Sequence, residues 1–314
     1  MLGLAGLLLL TGCSTVGNIV DPLNLRGLGE PPIRVGVTKL EFSPPPLIFV
    51  PKWSLFNDGL SFHLNKPVSF DLMTPRQIRV HLGTGRVKFA MLSPADYSQI
   101  AHAETSKILA VPKNNNQETH RRGLIIVAAK SPIHALSELK NKRFHFMPSG
   151  DILNELALGA LLDSGIPKEE IDKGILGLEL DTHHISSLEV AKSVVLENVA
   201  GVIDEADYNK WPEKGGSFVL LSPSKDQVRV IAKTIRVPEG PFVVSINTPK
   251  ELTDKVRNYL LKDVNKEKLI LAPMGYTGFA EPIDPEEYKP YFELHRKLYP
   301  PKPLELQTHT APAQ

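Results

Sequence analysis

From Ile33 onward the chain alternates short apolar strands with helical stretches, and this alternation confines it to an α/β architecture. Ile33 to Val37 reads as a first strand, followed by a Pro-rich loop from Ser43 to Pro51. Lys52 to Leu64 places Trp53, Leu55, Phe56, Leu60 and Leu64 at helical spacing, and Val68 to Leu72 is a second strand. Thr74-Pro75 supplies a cap and a first-turn proline for a helix that runs to Gly83. A third strand, Val87 to Leu92, ends in the strand-to-helix turn Ser93-Pro94-Ala95-Asp96-Tyr97. The series continues with a strand from Leu124 to Ala129, a turn at Leu136 to Leu139 and a strand from Arg143 to Met147. A helix from about Asp151 to Leu162, closed by Gly165, and the strand Val199 to Ile203 come next. Val228 to Ala232 and Phe242 to Ser245 are two more strands, and a last helix is expected over Pro249 to Leu261.

At 314 residues the chain exceeds the roughly 250–300 at which one hydrophobic core stops growing, so two lobes are expected. Crossings near Ala129 and near Val237 would make the first lobe discontinuous, 33–128 plus 238–299, around a second lobe at 129–237. Two lobes joined by two strands can close on a ligand cleft by hinge motion. Residues 300–314 are polar and Pro-rich and read as a disordered tail. With 36 Lys+Arg against 35 Asp+Glu, the chain has no general electrostatic attraction for nucleic acid.

Residues 2–12, LGLAGLLLLTG, are too few to span a bilayer, which takes about 20, but they suit the apolar region of a signal peptide over 1–12. The only cysteine, Cys13, follows directly. Leu10-Thr11-Gly12-Cys13 resembles the bacterial lipobox, whose cysteine is acylated and becomes the new N-terminus. Residues 13–32 then read as a tether between lipid and domain. With Cys13 acylated, no thiol remains for catalysis, a disulfide or a metal.

Several stretches together resemble the phosphate/phosphite/phosphonate-binding proteins of bacterial ABC importers, a branch of the type 2 periplasmic-binding fold. Val87 to Tyr97 is similar to that family's G-x-x-D-hydrophobic-x-G-P-x-x-Y segment, and Ser131-Pro132-Ile133 through Phe144 to its S-x-I-x-x-L-x-D-L-K-G-K-x-F segment. Gly201-Val202-Ile203-Asp204 with Tyr208, the Pro238-Glu239-Gly240-Pro241 turn, and Gly278-Phe279 with Asp284 to Tyr288 follow in the family's order. Three departures stand out. The family's Ser-Thr-Ser-Gly anion turn is Met147-Pro148-Ser149-Gly150-Asp151 here, Ser187 falls in the register of its histidine, and Lys88-Phe89 replaces its third-strand Asp.

The resemblance implies ligand contacts from Ser93 and Tyr97 on one lobe and from Ser149, Gly150, Ser187 and Asp204 on the other. In relatives that take aminoalkylphosphonates, the acid at the position of Asp204 meets the ligand's amine. Local chemistry offers a plainer role for the same residues, because Asp151 and Asp204 can simply cap helices. Arg121-Arg122, after an Asn-rich loop, reads as a solvated face. The assignable pocket edge would then carry Asp151 and Asp204 without a cation, which predicts a zwitterionic or weakly charged ligand. His183-His184 offers no metal-ligand spacing, and His63, His81, His102 and His120 have no catalytic setting.

No G-x-S-x-G, P-loop, dinucleotide or H-E-x-x-H motif is present, and neither a cofactor nor a metal is expected. The expectation is a monomeric, lipid-anchored solute-binding protein at the periplasmic face, working with an ABC permease by hinge closure. A sensor or accessory binding lipoprotein without a permease is the alternative, and an enzyme on the same fold a more distant one.

Overall fold

The computed structural model describes residues 31–38, 53–148, 150–172, 186–214 and 223–300. The expected signal peptide, Cys13 and all but the end of its tether, the loop at 43–51, Ser149, His183-His184 and the tail from 301 lie outside the described residues. The strands are β1 (Ile33–Val37), β2 (Val68–Leu72), β3 (Phe89–Met91), β4 (Ser106–Lys113), β5 (His120–Arg121), β6 (Gly123–Ala128), β7 (Phe144–His145), β8 (Ala200–Asp204), β9 (Val228–Lys233), β10 (Val237–Pro238), β11 (Phe242–Ser245) and β12 (Gly278–Ala280). The helices are α1 (Ser54–Leu64), α2 (Pro75–Gly83), α3 (Pro94–Ser98), α4 (Ile152–Asp163), α5 (Lys168–Asp172), α6 (Ser187–Glu197), α7 (Glu205–Asn209), α8 (Lys250–Asn258), α9 (Lys268–Leu271) and α10 (Lys289–Leu298).

Two mixed sheets organise the chain. One has the order β12-β4-β11-β3-β1-β2, with β1 parallel to β2 and β3 and the remaining pairs antiparallel. The other has the order β7-β8-β6-β9. The interior strands β3, β11 and β8 are buried along their whole length and β6 along all but its last residue, so they read as continuous apolar runs. Phe56 anchors one face of the larger sheet, with its ring centroid 5.8–6.4 Å from those of Phe70, Tyr259, Phe279 and Phe242. The other face shares one continuous apolar cluster with the smaller sheet, running from Ile78 and Leu82 through Tyr288 and Phe292 to Leu124, Leu156 and Val202.

The first crossing lies earlier than the sequence suggests. β6 pairs with β8 and β9 and so belongs to the smaller sheet. The chain therefore passes between the sheets at β5 rather than near Ala129, and β5 pairs antiparallel with β10, with Val237 opposite Arg121 and Pro238 opposite His120. The apolar run Leu124–Ala128 would suit either core, whereas the polar pair that makes the crossing carries no strand signal.

A second difference is α10, a helix beyond the one expected to be last. It packs between the two halves. Tyr291 Oη donates to Glu155 Oε2 of α4 at 2.7 Å, His295 Nδ1 lies 3.0 Å from the same oxygen, and Leu294 covers Gly159. On its other side Phe292 meets Tyr97 and His102, with centroids 5.9 and 6.2 Å away. The expected placing of all of 238–299 in the first lobe therefore misses the contact of α10 with the second. Among the described residues no helix is long and apolar enough to cross a membrane.

Candidate ligand-binding site

Four helix starts meet around the crossing pair β5–β10, three of them following strands: α3 after β3, α4 after β7 and α7 after β8. At the start of α3, Ser93 Oγ accepts from Asp96 N–H and donates to Asp96 Oδ2 at 2.6 Å, and Thr38 Oγ1 donates to that oxygen at 2.5 Å. At α4, Asp151 accepts from Leu153 N–H, just after Gly150, which takes the left-handed conformation (φ +83°). At α6, Ser186 is the cap, and Ser187 Oγ donates to Asp207 Oδ2 at 2.7 Å while accepting from Asp204 N–H at 3.2 Å. At α7, Asp204 caps through Ala206 N–H. Each helix thus satisfies part of its own N-terminal donors with a side chain.

The crossing strands tie these turns together. The space above Gly240, just past β10, is filled by backbone: a Cβ there would lie 1.9 Å from the Leu92 carbonyl oxygen and 2.9 Å from Ser93 Cα. Only glycine permits that approach. Tyr97 is buried, its ring 4.9 Å from that of Tyr288, whose hydroxyl donates to the Glu239 carbonyl at 2.6 Å. Ser93 and Tyr97 therefore meet the return crossing, whereas Asp204, with Ser187 bonded to its N–H, and Asp151, next to Gly150, reach β5.

The residue that joins the two sides is Arg121, which sequence reasoning placed on a solvated face. It is instead four-fifths buried. Its Nε and Nη2 both lie 3.0 Å from Asp204 Oδ2, Nη1 is 3.3 Å from Asp151 Oδ1 and Nη2 3.3 Å from Asp151 Oδ2. Glu239 Oε1 is 3.7 Å from Nε. The expected edge of bare carboxylates is thus corrected to three carboxylates around one guanidinium. A guanidinium is well suited to this, because its planar fork offers five donors and it keeps its charge when buried.

Burial and charge set the protonation of this group. Desolvation works against the Arg121 charge, but Asp151, Glu239 and Asp204 outweigh it and raise its pKa above the ordinary value. Burial also raises Asp204, against the lowering pull of Arg121 and of the Ala206 N–H. Glu239 is pushed up to about 7 by burial, with Arg121 opposing and Asp204 and Asp151 reinforcing the shift. No group of His, Cys, Asp and Glu among the described residues is arranged to hold a metal ion.

Comparisons with known proteins bear on the family and the fold. A family model described as the periplasmic substrate-binding protein of ABC phosphonate transporters matches residues 46–288. No curated protein matches the chain. Among solved structures, XAC2383 from Xanthomonas citri bound to ATP superposes with a TM-score of 0.54 at 17% identity, over 85% of this chain and 97% of that one. PhnD1 from Prochlorococcus marinus in complex with methylphosphonate gives 0.51 at 15% identity, over 85% and 97%. At such identities the likeness is one of fold.

Proposed function

Because the chain belongs to the periplasmic substrate-binding proteins of ABC phosphonate transporters, we propose that it is a lipid-anchored receptor that captures a small phosphorus oxyanion between its lobes. The fold is the type 2 periplasmic-binding fold, and the family consists of extracytoplasmic transporter components that bind small molecules and serve an ABC permease, not of enzymes. The observation that carries the proposal is the convergence of helix starts from both halves on β5 and β10, the paired strands at which the chain passes between the sheets among the described residues. A ligand held there touches groups from both halves, which makes the closed arrangement the bound one.

Anchoring is supported by the sequence, through the Leu-Thr-Gly-Cys junction ending at Cys13. The ligand class is supported by two structural neighbours, one bound to ATP and one in complex with methylphosphonate. The backbone N–H groups that the caps leave over at the four helix starts supply neutral donors, each worth about 1.5–3 kcal/mol to a charged acceptor. Isothermal titration calorimetry with methylphosphonate, inorganic phosphate and ATP tests this reading. One-to-one saturable binding of at least one probe is expected, and no heat from any of the three would overturn it.

A further inference from the structure

The three carboxylates at the crossing are already held by a cation that belongs to the chain. Asp151 and Asp204 are fixed by their capping bonds to α4 and α7, and Glu239 is fixed by its place between β10 and Gly240. Arg121 is fixed as firmly, since its backbone sits in β5 opposite Val237. Every nitrogen of its guanidinium faces a carboxylate oxygen at 3.0–3.7 Å. We infer that Arg121 is the resident occupant of a cation subsite and sets specificity by closing that subsite to any ligand bearing an ammonium or guanidinium group.

The inference rests on reading this cleft as the ligand site, and its logic is one of exchange. A ligand ammonium entering the cluster would have to expel a buried guanidinium. It would pair with the same carboxylates that the guanidinium gives up, so no net pairing is gained and the expelled charge must find another place. A ligand without a cation avoids that exchange. The substrate class is then an oxyanion whose remainder is neutral, such as an alkylphosphonate, rather than an aminoalkylphosphonate. Arg121 would thus reject by prior occupation, a repulsive element of specificity.

Removing the side chain should expose the subsite. The Arg121→Ala protein is titrated with millimolar methylguanidinium chloride, with sodium chloride as the control, and its thermal midpoint is followed. A saturable rise of about 2 °C or more is expected for Arg121→Ala, and none for wild type or Arg121→Lys. Should Arg121→Ala fold poorly, Arg121→Ala combined with Glu239→Gln carries one ionisable carboxylate fewer and reads the same subsite. Absence of rescue in both backgrounds, or an equal rise in wild type, overturns the inference. A ligand arm compares 2-aminoethylphosphonate with methylphosphonate. Wild type should gain nothing from the amine and Arg121→Ala about tenfold, whereas a tenfold amine preference in wild type would overturn the inference. If neither phosphonate binds either protein, the reading of the ligand class fails, and the methylguanidinium rescue still decides the occupancy of the subsite.

Discussion

Asp204 and Arg121 occupy the same ion pair, yet only one of them is legible in the sequence. Asp204 ends an apolar strand, where open sheets place ligand groups, and local pattern suffices to find it. Arg121 follows a polar loop beside a second arginine, and its partners lie 30, 83 and 118 positions further along the chain. No local signal marks it, because its burial comes from a two-residue strand paired with β10. Glu239 is hidden in the same way inside a Pro-Glu-Gly-Pro turn. Its raised pKa has a consequence for stability. The folded state holds the Glu239 proton up to about 7, whereas the unfolded chain releases it near the ordinary glutamate value. Glu239 therefore contributes stability that is complete at low pH and is lost as pH rises through about 7. Arg121, Asp151, Asp204 and Tyr288 all face this group and stay in place in the test. Urea denaturation between pH 5 and 7 should show wild type weakening by up to about 1.4 kcal/mol per pH unit from this group. Glu239→Gln should flatten that slope, and an unchanged slope would contradict the assignment.

At the scale of elements, strands and caps were mostly readable where they obey local rules. β1, β2 and β11 fall where their apolar runs predict, and Thr74 forms a capping box with Gln77 ahead of Pro75. α10 escaped because Pro285 and Pro290 mark the stretch as turns, although Pro290 sits in the first turn of the helix, where its missing N–H costs nothing. Two glycines give contrasting predictions. At Gly240 the obstacle to a methyl group is the Leu92 backbone carbonyl, which cannot rotate away. Gly240→Ala should therefore cost about 2–3 kcal/mol in urea denaturation and should pull the return crossing off the Ser93 turn. At Gly159 the obstacle is the end of the Leu294 side chain, which can change rotamer. Gly159→Ala should come out near neutral, the gain of about 1 kcal/mol in helix propensity offsetting the repacking. Equal costs at the two sites would contradict this account of the crossing.

At the scale of the whole molecule, the two-lobed α/β class and its family follow from the order of strands, helices and motifs along the chain. What pattern alone could not supply is where the halves join. That junction is built from two two-residue strands, the polar β5 and the buried Val-Pro pair of β10, together with a shared apolar cluster and a helix that touches both sides. The anchor belongs to this scale too. The mature wild-type protein should enter the detergent phase in a Triton X-114 partition and Cys13→Ala should not, whereas a wild-type protein that stays aqueous would contradict lipidation. The central claim is that the lobes close on a bound ligand. Small-angle scattering tests it most directly, with the protein titrated by whichever of methylphosphonate, inorganic phosphate or ATP saturates it in calorimetry. The radius of gyration should fall along the same saturation curve as the binding heat, and an unchanged radius at proven saturation would contradict capture by closure.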